Sequence, residues 1–256
     1  MTFYRRFSYP LISVLTTFGI VVSSSEVSLA VPWLELLLRG AQVVQLYNIS
    51  DEEEVQLGRQ INQQLISSGQ IQLYRNQKIN NYVNQIGQRL ATNSSRPNIP
   101  YTFQVVQDDS INAFATAGGY VYVTTGLLRA ADNEAQLASV LAHEIGHIAS
   151  RHSIEQMRQT AITRGLASAA GLDRNIAVQL GVELALQRPR SREDEYEADH
   201  RGIQTLARAG YDQRAMIAFL QKLRNQPTPP TFLSTHPAPD DRIAALRREI
   251  SRRDTR

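Results

Sequence analysis

The strongest constraint on how this chain can fold is the run His143-Glu144-Ile145-Gly146-His147. On a helix, residues four apart are stacked neighbours with Cβ atoms roughly 5–6 Å apart, so two imidazoles at this spacing converge on one point. That geometry suits an ion held at about 2.0–2.1 Å from each ring nitrogen. Glu144 is rotated off the clamp yet stays near enough to serve as general base toward a water at the ion. Two helix histidines acting only as ordinary polar groups is the weaker reading, because the chain has five histidines and two of them flank a glutamate at metal spacing.

The surroundings predict a helix. Ala138, Leu141, Ala142, Ile145, Ile148 and Ala149 form an apolar stripe of helical period, expected to face a core and leave the histidines on the other side. Asn133 is expected to cap the start, with Gln136 completing a capping box. Gly146 costs up to about 1 kcal/mol of helix propensity, tolerable if a small residue there lets another segment approach. His152, five positions past His147, is read as a surface or second-face residue.

Catalytic zinc commonly takes three protein ligands plus a water, so a third residue is needed. The extended metzincin pattern would place a histidine six residues beyond His147, but Ser153 stands there. A downstream acidic helix is the better source: Ser191-Arg192-Glu193-Asp194-Glu195-Tyr196-Glu197-Ala198-Asp199-His200-Arg201 follows Pro189 and runs into Ile203, Leu206 and Ala207. This pair of motifs resembles the M48 family of zinc metalloendopeptidases, in particular its periplasmic and mitochondrial inner-membrane quality-control members. The resemblance spans roughly 51–248. It implies an α+β, mainly helical zincin-like domain with a small β-sheet beside the H-E-x-x-H helix, and one Zn2+ per chain. It further implies Glu195 as third metal ligand and Asp199 as a carboxylate supporting a ligating histidine. Helical spacing agrees, since Asp199 lies one turn beyond Glu195. Glu193 and Glu197 are read as solvated charges.

Two further stretches match the family. Asn112 to Leu128 looks like the strand region that lines the substrate cleft, with Asn112, Ala113 and Phe114 as candidate groove residues. Tyr120 to Thr125 is strand-like in its own right, being β-branched and aromatic between glycines. Phe114 has a competing reading as core. Ser234-Thr235-His236-Pro237 resembles the late S-T-H-P segment, implying His236 near the metal, either as a reversible fourth ligand or as a group that steadies the intermediate; a satisfied loop histidine is the alternative. Arg242 is read either as a site-facing partner or as a helix-surface charge.

The expected chemistry is peptide hydrolysis by a zinc-activated water with Glu144 as base. The expected substrates are unfolded, damaged or misassembled envelope proteins; a latent, peptide-binding chaperone is the alternative. No nucleotide loop is present, and the absence of cysteine excludes thiol nucleophiles and cysteine-bound metals. Arg5 and Arg6 before the apolar run Leu11 to Val22, with Ser28-Leu29-Ala30 after it, predict a signal peptide over 1–30 and a single peptidase domain over 31–256. An exported, periplasmic-type location follows, with an uncleaved anchor as the competing reading. Trp33 with Leu34 and Leu36 to Leu38 is read either as a membrane-surface cluster or as core. Asp51 to Ser67 and Gln77 to Leu90 read as helices with Asp51 as a cap, Tyr101 to Val106 as a strand, 152–189 as largely helical, and Gln226 to Pro239 as a loop crossing the cleft. The net charge of +3 and the alternation of Arg247, Arg248, Arg252, Arg253 and Arg256 with Glu249 and Asp254 argue against nucleic acid as partner. Salt-sensitive attraction of this tail to anionic lipid is an expectation.

Overall fold

The computed structural model describes residues 43–166, 171–187 and 189–254. The signal-peptide reading, the Trp33 cluster, Arg253 as a side chain and Arg256 lie outside the described residues.

The first long helix, α1 (Asp51–Ser67), begins with a complete capping box: Ser50 Oγ accepts from Glu53 N, and Ser50 N donates to Glu53 Oε2. The cap is therefore Ser50 and not Asp51. Asp51 instead pairs with Arg96 at 2.6 Å and also with Arg151. Helix α2 (Gln77–Ala91) is capped by Asn76 and presents Val83, Ile86 and Leu90 to the core at i, i+3, i+7 spacing.

A three-stranded sheet follows, built from β2 (Thr102–Val106), β3 (Ala113–Ala115) and β4 (Tyr120–Thr124) in the order β2-β4-β3. β2 runs parallel to β4, with Val105 opposite Val123, and β3 runs antiparallel to it, with Phe114 opposite Tyr122. Side chains alternate between faces as the pleat requires. Val121, Val123, Ala113 and Ala115 enter one apolar cluster, while Tyr122 and Phe114 enter a second and stack on each other at 4.5 Å between ring centres. A separate short ribbon pairs β1 (Val43–Val44) with β5 (Leu172–Asp173).

After the short α3 (Thr125–Ala130), the helix α4 (Glu134–Ala149) carries the H-E-x-x-H run. Asn133 caps it through Gln136 N, but the Gln136 side chain accepts from Asp132 N, so the reciprocal half of a capping box is not made at the cap residue. Every residue from Gln136 to Ile148 is buried. The helix is thus central, not amphipathic at a surface, because α2, the sheet and later helices enclose it on all sides.

The 152–189 stretch forms α5 (His152–Thr163) and α6 (Arg174–Gln187), flanking β5. Four more helices complete the described residues: α7 (Arg192–Arg208), α8 (Arg214–Arg224), the single-turn α9 (Thr231–Thr235) inside the proline-rich loop, and α10 (Pro239–Asp254). None of the helices among the described residues is long and apolar enough to cross a membrane.

Helix α7 packs directly on α4, and glycine permits the approach. A Cβ at Gly146 would sit 2.5 Å from the Ala198 carbonyl oxygen, and one at Gly202 would sit 3.3 Å from His143 N. At Gly146 the obstacle is helix backbone, which cannot rotate away, while at Gly202 the Met216 side chain comes nearer still, at 2.8 Å. Gly146→Ala is therefore expected to destabilise the fold by about 1–3 kcal/mol through overpacking, read by urea unfolding of the metal-free chain. A change under about 0.5 kcal/mol would show that the helices have room to spare.

Candidate metal centre

Four side chains from three regions converge: His143 and His147 from α4, Glu195 from the first turn of α7, and His236 from the residue after α9. One donor atom of each lies within 4.8 Å of all the others. His143 Nε2 is 3.1 Å from His147 Nε2 and 3.2 Å from His236 Nδ1. Glu195 Oε1 is 3.1 Å from His236 Nδ1 and 3.4 Å from His147 Nε2, and Glu195 Oε2 is 3.4 Å from His143 Nε2. Ligands at 2.0–2.1 Å around a tetrahedral ion are separated by about 3.3 Å, close to the 3.1–3.4 Å separations just given. Three imidazoles and a carboxylate form a borderline donor set that suits zinc among the common divalent ions.

The residues present therefore fit a metal. Glu144, on α4 between the two histidines, is fully buried and neither carboxylate oxygen has a hydrogen-bond partner. His236 Nε2 lies 3.5 Å from Glu144 Oε1. An unpaired buried carboxylate is costly, and such a group is retained where a partner enters during function.

The outer partners are also charged. His143 Nδ1 meets Asp199 Oδ1 at 2.9 Å, one helical turn beyond Glu195. Arg242 from α10 is 1% exposed and binds Asp199 through Nε and Nη2, each at 2.7 Å. Its Nη1 lies 2.7 Å from Glu195 Oε2, close enough for an ion pair though not aligned as a hydrogen bond. Of its two sequence readings, Arg242 is thus placed at the site and not on the helix surface.

These contacts set the protonation tendencies. Burial penalises the Glu195 charge, but His236 and Arg242 overcome it and hold the carboxyl well below the usual range. Burial likewise opposes the Asp199 charge, and Arg242 prevails, keeping its carboxyl low. For His143, burial and Arg242 both disfavour the proton, yet the bonds to Asp199 and Glu195 raise its pKa to about 9. Burial pushes the His147 imidazole well down. A proton on His143 and a divalent cation thus compete for one place, so uptake of metal releases a proton.

The loop that carries His236 is anchored by Phe232, whose ring stacks on His236 at 4.4 Å and whose N–H donates to Ile111 O. Phe232 is also part of the main core. The structure accordingly places His236 in the cluster, beside Phe232.

The expected groove residues fall on and just before the edge strand β3. Ala113 and Phe114 have buried side chains that belong to the two cores, so neither side chain lines a groove. The bonds Thr124 N to Asn112 O and Thr116 N to Tyr120 O show which residues of β3 pair with β4. The main-chain groups of Ala113 and Ala115 therefore point to the outer edge. Asn112 is partly buried, with Oδ1 unpaired. Arg190, buried ahead of α7, places Nη2 3.3 Å from Ala115 O, and its own N–H donates to Thr235 O beside His236.

His152 also departs from its sequence reading. It is buried, with Nδ1 2.8 Å from His147 Nδ1. Arg151 adopts a left-handed conformation, φ 57°, between α4 and α5, and this turns the chain so that His152 points back at the site. Arg151 is held there by Ile49 O at 3.0 Å and by Asp51. Its signal was a helix end that spacing along one continuous helix could not show. Glu193 is exposed, as read, and Glu197 is half exposed but reaches His152 at 3.3 Å.

A buried motif of this kind on a helix facing an acidic helix defines the metallopeptidase class. Residues 77–250 match the family model Peptidase family M48, and the chain belongs to that family. It is 40% identical over 188 residues to the beta-barrel assembly-enhancing protease of Yersinia pestis, covering 65% of this chain and 38% of that protein. The Escherichia coli (strain K12) protein of the same name is 35% identical over 216 residues, 78% of this chain and 44% of the relative. The mitochondrial metalloendopeptidase OMA1 of Schizosaccharomyces pombe is 30% identical over 172 residues, 64% of this chain and 51% of that protein. The chain thus spans less than half the length of these bacterial relatives.

Replacing Arg242 with methionine would remove the guanidinium shared by the buried Asp199 and Glu195 and leave each carboxylate with its histidine contacts alone. The expected loss is about 3–5 kcal/mol of stability in urea unfolding of the metal-free chain. A loss under about 1 kcal/mol would show that the carboxylates find other partners.

Proposed function

We propose that this chain is a zinc-dependent endopeptidase acting on unfolded, damaged or misassembled proteins of the cell envelope. One observation carries the reading: donor atoms of His143, His147, Glu195 and His236 all within 4.8 Å of one another, beside a Glu144 carboxylate with no hydrogen-bond partner. Zinc, when bound, supplies a Lewis acid for the scissile carbonyl and an activated water.

The chain's own residues do the rest. His143, His147 and Glu195 hold the ion, and Asp199 with Arg242 keeps His143 and Glu195 oriented. Glu144 takes a proton from the attacking water and returns it to the departing amine. An extended substrate pairs with the outward main-chain groups of Ala113 and Ala115, with Asn112 at the end of the strand. Main-chain pairing gives affinity with little side-chain selectivity, which suits unfolded chains. The names of the relatives, proteases that enhance β-barrel assembly, fit substrates in an envelope. An exported location, with a leader over 1–30 and one peptidase domain over 31–256, belongs to the same reading.

His236 at the fourth donor place and Arg190 on the edge-strand carbonyl describe a closed state, from which both withdraw for turnover. This closure supports one second reading, a latent homologue that binds peptides without cutting them.

The test is cleavage of unfolded casein by the zinc-loaded chain beside Glu144→Gln, with zinc content measured on both. Glu144→Gln is expected to keep its zinc and lose at least about 100-fold in rate. Equal rates would sink the mechanism, and no cleavage by the zinc-loaded native chain would favour the latent binder. His236→Ala, assayed at saturating zinc, is expected to raise the rate severalfold. A fall of about 100-fold would instead assign His236 to steadying the intermediate.

A further inference from the structure

We infer that His152 is a positioning residue for His147, fixing the orientation and tautomer of that metal-binding imidazole through a histidine-to-histidine hydrogen bond backed by Glu197. The inference rests on the metal-centre reading above.

The direction of the bond follows from where each ring nitrogen points. His147 turns Nε2 toward the cluster, 3.1 Å from His143 Nε2 and 3.4 Å from Glu195 Oε1. A cation there takes the Nε2 lone pair, which leaves the single ring proton on Nδ1. That Nδ1 lies 2.8 Å from His152 Nδ1, so it donates and His152 accepts. His152 must then carry its own proton on Nε2, which faces Glu197 Oε2 at 3.3 Å and Asp194 Oδ1 at 3.6 Å. Every proton in the chain from His147 to the carboxylates has one place. The reverse direction would put a proton on His147 Nε2, on the side where the other three donor atoms converge, and would exclude a cation.

Metal-binding imidazoles ordinarily donate their second N–H to a carboxylate or a backbone carbonyl. His143 does so directly, to Asp199. For His147 the carboxylate stands one imidazole further out, on the same helix that carries Glu195 and Asp199. His152 is 5% exposed, so it is held largely away from solvent beside His147. Glu197 is 45% exposed along its side chain and also pairs with Arg201 at 2.8 Å, so the outer arm is the weaker half of the support.

The test uses the full chain and zinc itself, with affinity read by competition against a fluorescent chelator. His152→Phe fills the space but cannot accept, and is expected to weaken zinc binding about 10- to 100-fold. His152→Asn places an amide group where Nδ1 stood and should restore most of the affinity. His152→Gln places its amide nearer the Nε2 position and should not. The visible absorption of the cobalt-loaded chain should shift in the Phe and Gln variants and return toward native in the Asn variant. Zinc affinity unchanged by Phe, or Asn and Gln equal to each other, would overturn the inference. If the Phe variant does not fold, the comparison of Asn with Gln decides alone. A native chain that takes up no zinc overturns the metal-centre reading and this inference together; a native chain that binds zinc while all variants bind as tightly overturns this inference only.

Discussion

The site depends on the glycine-mediated approach of two helices. Glu195 and Asp199 lie about fifty residues from the histidines they meet, and they arrive because α7 lies close against α4 where Gly146 and Gly202 carry no side chain. A helix repeats its faces every three to four residues. Once α7 is seated, Glu195 and Asp199 therefore reach successive levels of the α4 histidine face, Glu195 at the converging nitrogens and Asp199 at the back of His143.

That placement concentrates charge in a region nearly closed to solvent. Glu144, Glu195 and Asp199 are all buried together with His143, His147, His236 and Arg242. Burial of such groups is favourable only when each charge finds an opposite one at short range. Arg242 bridges the two supporting carboxylates at 2.7 Å, and the two ligand imidazoles divide, His143 favouring its proton and His147 disfavouring it. Glu144 is the exception, with no hydrogen-bond partner. The one carboxylate left unsatisfied is the one whose proposed role is to accept a proton from a group that enters the site.

What was readable from local pattern was the set of elements and the chemistry of the motif. The H-E-x-x-H helix, α1, α2, β2 and β4 follow from periodicity and strand composition, and their ends shift by a residue or so. The misreadings share one cause. Ser50 caps α1 while Asp51 is drawn away by two arginines, one of them 100 residues distant. The α4 stripe marks one core-facing side, and the histidine side is covered as well, by a helix later in the chain. His152 appeared to point elsewhere because helical spacing was extended across a left-handed Arg151. Arg190 carried no signal at all, since its partners lie on β3, on α5 and at the end of α9.

The sequence by itself determined that this chain holds a two-histidine clamp with a glutamate on one helix, that an acidic helix follows, and that thiol chemistry is absent. These are properties of spacing and residue type within a few turns, where local geometry is nearly the whole physics. Only the tertiary structure decided that His236 joins the cluster, that Arg242 neutralises two buried carboxylates, and that the side chains of Ala113 and Phe114 are core while their strand edge faces outward. Each of those outcomes depends on contacts between residues distant in sequence, and burial turns such contacts from weak surface attractions into strong ones.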